Sequence, residues 1–148
     1  MNFVVQFFIA FIGTIGFSVL FSIPRDSVIK SGINGALGWI TYVFFSELLS
    51  SSVAGIFLGA IVVGVVGELF ARFFRKPATV FIIPGIIPLV PGSKSYYSML
   101  AFIEKRYVDA ADLASETVFI ALSIASGIII AASVNKIFKK KKLPKAAK

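Results

Sequence analysis

FIIPGIIPLVPGSKSYYSML, residues 81–100, is apolar enough to lie in a bilayer, yet it holds three prolines, two glycines and a lysine. Proline removes a backbone donor and clashes with the preceding helical turn. Glycine adds conformational freedom at no steric cost. Pro84-Gly85, Pro88 and Pro91-Gly92 therefore argue against one continuous helix, and residues 84–92 are expected to be kinked or unwound. Ser93 then stands where a helix N-cap belongs, with residues 95–103 as the next helix. Irregular backbone at membrane depth is tolerated only where protein or a water-filled cavity covers it. The meaning of the interruption thus depends on what surrounds it.

The surroundings read as membrane. The 148 residues are 57% hydrophobic and only 15% charged, against about 25% charged in a soluble domain. Apolar stretches fall at residues 3–21, 33–45, 53–70, 78–91 (continuing towards 103) and 113–134. A spanning helix needs about 20 residues, so the second and fourth are short and need covering by protein. Residues 3–21 lack a basic leader and a small-residue cleavage site, and read as a retained helix. The expected fold is all-α: a polytopic membrane protein with about five transmembrane segments, the fourth broken by Pro and Gly. Residues 1–135 form the transmembrane domain and residues 136–148 a basic cytoplasmic tail.

Charge placement supports that count. Seven lysines sit in the tail without an acid, leaving 8 basic and 7 acidic residues elsewhere. Arg25 and Lys30 follow the first stretch, and Arg72, Arg75 and Lys76 follow the third. The second loop has no basic residue, and the fourth is mixed. Basic loops favour the cytoplasmic side, so five crossings put the N-terminus outside and the C-terminus in the cytoplasm. The lysine tail reads as an anchor on anionic membrane lipid, not as a nucleic-acid contact. With no cysteine and no histidine, thiol chemistry, His-based acid–base catalysis and the common zinc sites are excluded. No catalytic constellation, metal set or cofactor motif stands out, and the chain does not read as an enzyme. Gly32, Gly35 and Gly38 lack the preceding strand that a nucleotide fingerprint requires.

Candidate site residues gather at the interruption. A helix beginning after Gly92 exposes N–H groups that suit an anion, and a lysine at bilayer depth is usually functional. Pro84, Gly85, Pro88, Pro91, Gly92, Ser93, Lys94, Tyr96 and Tyr97 are therefore the expected substrate-binding set, for a small carboxylate substrate. The bland alternative for Lys94 is a side chain that snorkels to water from a re-entrant turn. Glu68 and Arg72, four residues apart, read as a structural or proton-coupling pair. Gly55-x-x-x-Gly59 reads as a helix-packing motif.

FSVLFSIPRDSVIKSGINGALGW (residues 17–39) and GELFARFFRKPATVFIIPGIIPLVPGSKSYYSML (residues 67–100) resemble the threonine/serine exporter (ThrE-like) family, in its half-length small-subunit form. The resemblance covers about residues 10–135 and is most specific at residues 76–92. It implies an inner-membrane exporter of threonine and serine driven by the proton motive force. It also implies a two-component organisation like that of a succinate exporter, whose larger partner subunit is similar to the N-terminal half of full-length members. A non-transporting scaffold subunit and a self-sufficient homo-oligomer are the alternatives. Ser93 and Lys94 depart from the small residues of relatives, which shifts weight onto the backbone break, Tyr96 and Tyr97.

Overall fold

The computed structural model describes residues 2–141, with side chains through residue 134. Except for the helical backbone to Lys141, the expected tail 136–148 lies outside the described residues. The elements are α1 (Phe3–Leu20), α2 (Arg25–Leu48), α3 (Ser52–Phe74), α4 (Thr79–Gly85), a 3-10 turn (Ile87–Leu89), α5 (Gly92–Ile103) and α6 (Tyr107–Lys141). No strand occurs among the described residues.

Local chemistry sets the helix ends. The Asn2 side chain accepts from Val4 N–H at 3.2 Å, and Ser51 Oγ accepts from Ala54 N–H at 3.3 Å. Such N-caps satisfy donors that the first turn leaves free. At the end of α1, Ser22 turns left-handed (φ 54°), while Ile23 N–H donates to Ser18 O and Ser22 N–H to Val19 O, both at 3.0 Å. The same Schellman pattern closes α5 through Lys105 and Arg106. Ser22, Ser50, Arg75 and Lys105 hold the left-handed conformation after α1, α2, α3 and α5, and no described glycine does.

The glycines serve helix packing instead. A Cβ on Gly59 would lie 2.8 Å from the Gly38 carbonyl oxygen, and one on Gly55 would lie 2.8 Å from that of Tyr42. The Gly55-x-x-x-Gly59 pair thus brings α3 against the backbone of α2, as expected for small residues in a membrane bundle. Gly35 faces Thr14 of α1, so α2 is closely approached on two sides. It packs against α1, α3 and α4; α6 lies on α3, and α5 on α6. Ile56, Ala60, Val63, Leu89, Ile120 and Ile124 form the apolar core between them.

The polarity of α1 is inside out. Its buried residues are Gln6, Ala10, Thr14 and Ser18, while Phe3, Phe8, Ile9 and Ile12 are exposed. Thr14 and Ser18 donate their hydroxyls to Ala10 O and Thr14 O at 2.7 and 2.8 Å. Apolar outside and polar inside suits lipid, which does not compete for hydrogen bonds. Residues Phe3–Leu20, Ser52–Phe74 and Tyr107–Val134 are long and apolar enough to cross a membrane.

Glycine contacts also fix the direction of α6. A Cβ on Gly127 would meet Ala60, and a Cβ on Gly64 would meet Ala131. Both sequence numbers rise by four, so α3 and α6 run parallel. Glu116, eleven residues before Gly127, therefore lies about 16 Å towards the N-terminal end of α3 from that contact, at 1.5 Å per residue.

Three boundaries differ from the sequence reading. α2 is 24 residues long, because the polar Arg25–Gly32 portion continues the helix beneath Val80 and Phe81. Pro91, not Ser93, is the N-cap of α5; the pyrrolidine pre-sets a backbone angle compatible with a helix start. α6 begins at Tyr107, six residues before the apolar stretch 113–134, so Asp109 and Asp112 are helical.

Candidate functional site

The interrupted segment starts from a backbone deficit. Pro84 has no N–H, so the Val80 carbonyl loses its helical donor. Ser31 Oγ of α2 lies 3.0 Å from Val80 O and also 3.0 Å from Ser27 O, with one proton to share between them. One turn on, the Asn34 amide donates from Nδ2 to Val63 O of α3 and to Phe81 O of α4, each at 3.1 Å. Asn34 is 0% exposed, and its Oδ1 is buried with no protein partner. Gly85 leaves room for this amide, since a Cβ there would be 2.9 Å from Nδ2. Ser31 and Asn34 together fasten α4 to α2 and α3.

Replacing Ser31 by Ala should destabilise the protein by about 1 kcal/mol, the net worth of one hydrogen bond. In a Pro84→Ala background the same change should have less effect, because residue 84 then supplies its own N–H. Thermal unfolding of the four proteins in detergent checks this; equal Ser31→Ala effects in both backgrounds would refute the substitution of one donor for the other.

Beyond the 3-10 turn, Val90 is extended and Pro91 leads into α5, whose first turn has no side-chain cap. A cavity of about 230 Å³ opens here. Pro88, Pro91, Ser93 and Lys94 line it from the interrupted segment, and Trp39 and Tyr42 from α2. Lys94 is the one charged residue in its lining. The Lys94 ammonium pairs with the carboxylate of Glu116 on α6, their side chains 32% and 41% exposed. Ser98 Oγ donates to Ala110 O at 2.9 Å, adding a second tie between α5 and α6. A second, more apolar cavity of about 370 Å³ runs beside α1, and Trp39 and Pro88 form part of the wall of both. Trp39 Nε1 donates to Gln6 Oε1 at 3.0 Å.

The expected site residues therefore separate. Pro84 and Gly85 are buried at the Asn34 fastening, and Pro88, Pro91, Ser93 and Lys94 share the cavity. Gly92 is exposed, as are Tyr96 (64%) and Tyr97 (56%), and none of the three lines the cavity. Glu68 and Arg72 sit one turn apart on α3, half-buried and exposed respectively, away from the cavity wall. Sequence reasoning missed Ser31, Asn34, Trp39, Tyr42 and Glu116. A lone amide within the apolar GINGAL run was a usable signal for Asn34; nothing local marked Glu116 as a partner.

The start of α2 and the α3–α4 turn carry a separate charged cluster. Lys76 pairs with Asp26 and lies 3.1 Å from Ser27 Oγ, while Lys30 sits 3.9 Å from the centre of the Phe74 ring. The hydrogen bond from Lys76 holds the Asp26 carboxyl below its ordinary pKa.

Apolar outer faces, a polar inner seam and a helix interrupted beside a cavity define a polytopic helical membrane protein. The chain belongs to the threonine/serine exporter family: the family model described as "Threonine/Serine exporter, ThrE" matches residues 6–134. It is 27% identical over 125 residues to an uncharacterized protein of Haemophilus influenzae (strain ATCC 51907 / DSM 11121 / KW20 / Rd), a match covering 82% of this chain and 42% of that relative. The chain thus spans less than half the length of that curated relative. No solved structure matches it.

Proposed function

We propose that this protein is the small subunit of a bacterial secondary exporter for a small carboxylate-bearing metabolite, threonine or serine first and succinate-like acids second. The observation that carries this reading is the cavity lined by Pro88, Pro91, Ser93 and Lys94, with Lys94 the one charged residue in its wall. An ammonium in the uncapped first turn of α5 is suited to one carboxylate. Trp39 and Tyr42 offer apolar walls for the remainder of a small molecule. Transport is a property of the family to which the chain belongs.

In this reading the chain crosses the plasma membrane five times, with α4, the 3-10 turn and α5 making the fourth passage. The parallel course of α3 and α6 supports an odd number of crossings, because the segment between them must return once. The basic residues near α2 and the α3–α4 turn then face the cytoplasm. A larger membrane subunit, corresponding to the part of the longer relative that this chain lacks, completes the transporter.

Efflux from cells loaded with a threonine-containing dipeptide, and separately with succinate, tests the proposal. Export is expected only when this chain is expressed with the larger subunit. Lys94→Gln should lower that export about tenfold or more, since a hydrogen bond to a charged group is worth about 1.5–3 kcal/mol. Export by this chain alone would replace the two-part reading with a homo-oligomer. No export of either compound, with both subunits in the membrane, would favour a scaffold.

A further inference from the structure

We infer that Glu116 is a specificity-determining residue: as an internal counter-carboxylate on Lys94, it weakens the binding of every incoming carboxylate and weakens a dicarboxylate most. This rests on reading the cavity as a carboxylate site. Lys94 is placed where its charge does not help its own helix, because a cation in the first turn opposes the α5 dipole. Lys94 lines the cavity, and its ammonium pairs with Glu116 from α6. Glu116 is absent from the cavity lining, so it acts on a ligand through Lys94 and through space.

The pair is partly open to its surroundings. Ion pairs of that kind hold weakly and exchange partners readily. A carboxylate entering the cavity meets an ammonium whose charge Glu116 has already neutralised. It must either displace Glu116 or accept repulsion from it. A molecule with one negative group meets that repulsion once. A dianion meets it twice and finds no second cation in the lining. Neutralising Glu116 gives the site a net positive charge and improves dianion binding more than monoanion binding.

The chain contains one tryptophan, and it lines the cavity. Trp39 fluorescence of the purified chain in lipid nanodiscs therefore reports occupancy. Titrations use propionate, L-threonine and succinate as probes. Glu116→Gln should tighten propionate about fivefold, equivalent to about 1 kcal/mol, and L-threonine less, because Glu116 attracts the amino acid's own ammonium. Succinate should tighten by at least twice the propionate factor. Lys94→Gln should abolish the response, and Glu116→Gln added to it should restore nothing.

Unchanged affinities, equal factors for propionate and succinate, or weakened propionate binding in Glu116→Gln would each overturn the inference. So would a folded Glu116→Gln protein, verified by circular dichroism, that responds to no carboxylate. The exporter reading fails separately. If the fluorescence pattern appears but cells export neither threonine nor succinate, Glu116 keeps its role and the transport assignment falls. If Lys94-dependent threonine export occurs but Glu116→Gln leaves the succinate-to-threonine ratio unchanged, Glu116 loses its role and the exporter stands.

Discussion

A Gly59→Val protein is expected to lose its packed bundle. A Cβ at this position would stand 2.8 Å from the Gly38 carbonyl oxygen and 3.4 Å from Leu89 Cδ2. The first neighbour is backbone and cannot rotate away. Valine adds two methyl groups to that clash, so α3 must move off α2. Overpacking of this kind destabilises by about 3 kcal/mol or more when the opposing atom is rigid. Gly16→Ala supplies the contrast: nothing lies within 4 Å of its added methyl, and the change should stabilise by about 0.5–1 kcal/mol through helix propensity. Thermal unfolding in detergent measures both. Similar melting of Gly59→Val and wild type would show that the α2–α3 seam is looser than its glycines imply.

The second large effect is expected at Asn34. Its amide gives two protons to two carbonyl oxygens on different helices. Asn34→Leu removes both bonds at nearly constant volume and should destabilise by about 2 kcal/mol, each net bond being worth about 1 kcal/mol. Asn34→Asp should be worse. It points acceptor oxygens at Val63 O and Phe81 O and places an ionisable group in a fully buried position. An unsatisfied buried charge is far more expensive than a missing hydrogen bond, so this protein should fail to accumulate in the membrane. Membrane abundance and unfolding midpoint together rank the variants. An aspartate no worse than the leucine would mean that the amide is not acting as a two-proton donor.

The Pro84–Gly92 region was legible because proline and glycine act on their own backbone, whatever lies nearby. Lys94 stood out as a cation beside that break, but its partner Glu116 did not. Gly55 and Gly59 announced close helix contact by spacing alone. Ser31 and Asn34 have partners that were not legible, because those lie 49 and 47 residues away in sequence. Their value arises only when α4 arrives with a carbonyl that Pro84 has left bare. The start of α6 was misplaced for an electrostatic reason. Asp109 and Asp112 look like loop residues when charge is equated with solvent, yet they are helical and lie past the N-terminal end of α3. Tyr96 and Tyr97 looked like site residues through proximity in sequence, but both are exposed and neither lines the cavity.

The inside-out polarity of α1 bears on how the protein is made. α1 and α3 meet the length and apolarity needed to enter lipid by themselves, but α2, between them in sequence, does not. Its serines, its asparagine and its glycine-exposed backbone become tolerable in lipid only once α1 covers one side and α3 the other. The expected consequence is joint insertion of the first three helices: a chain truncated before α3 should leave α2 outside the bilayer, and protease protection of such truncations checks it.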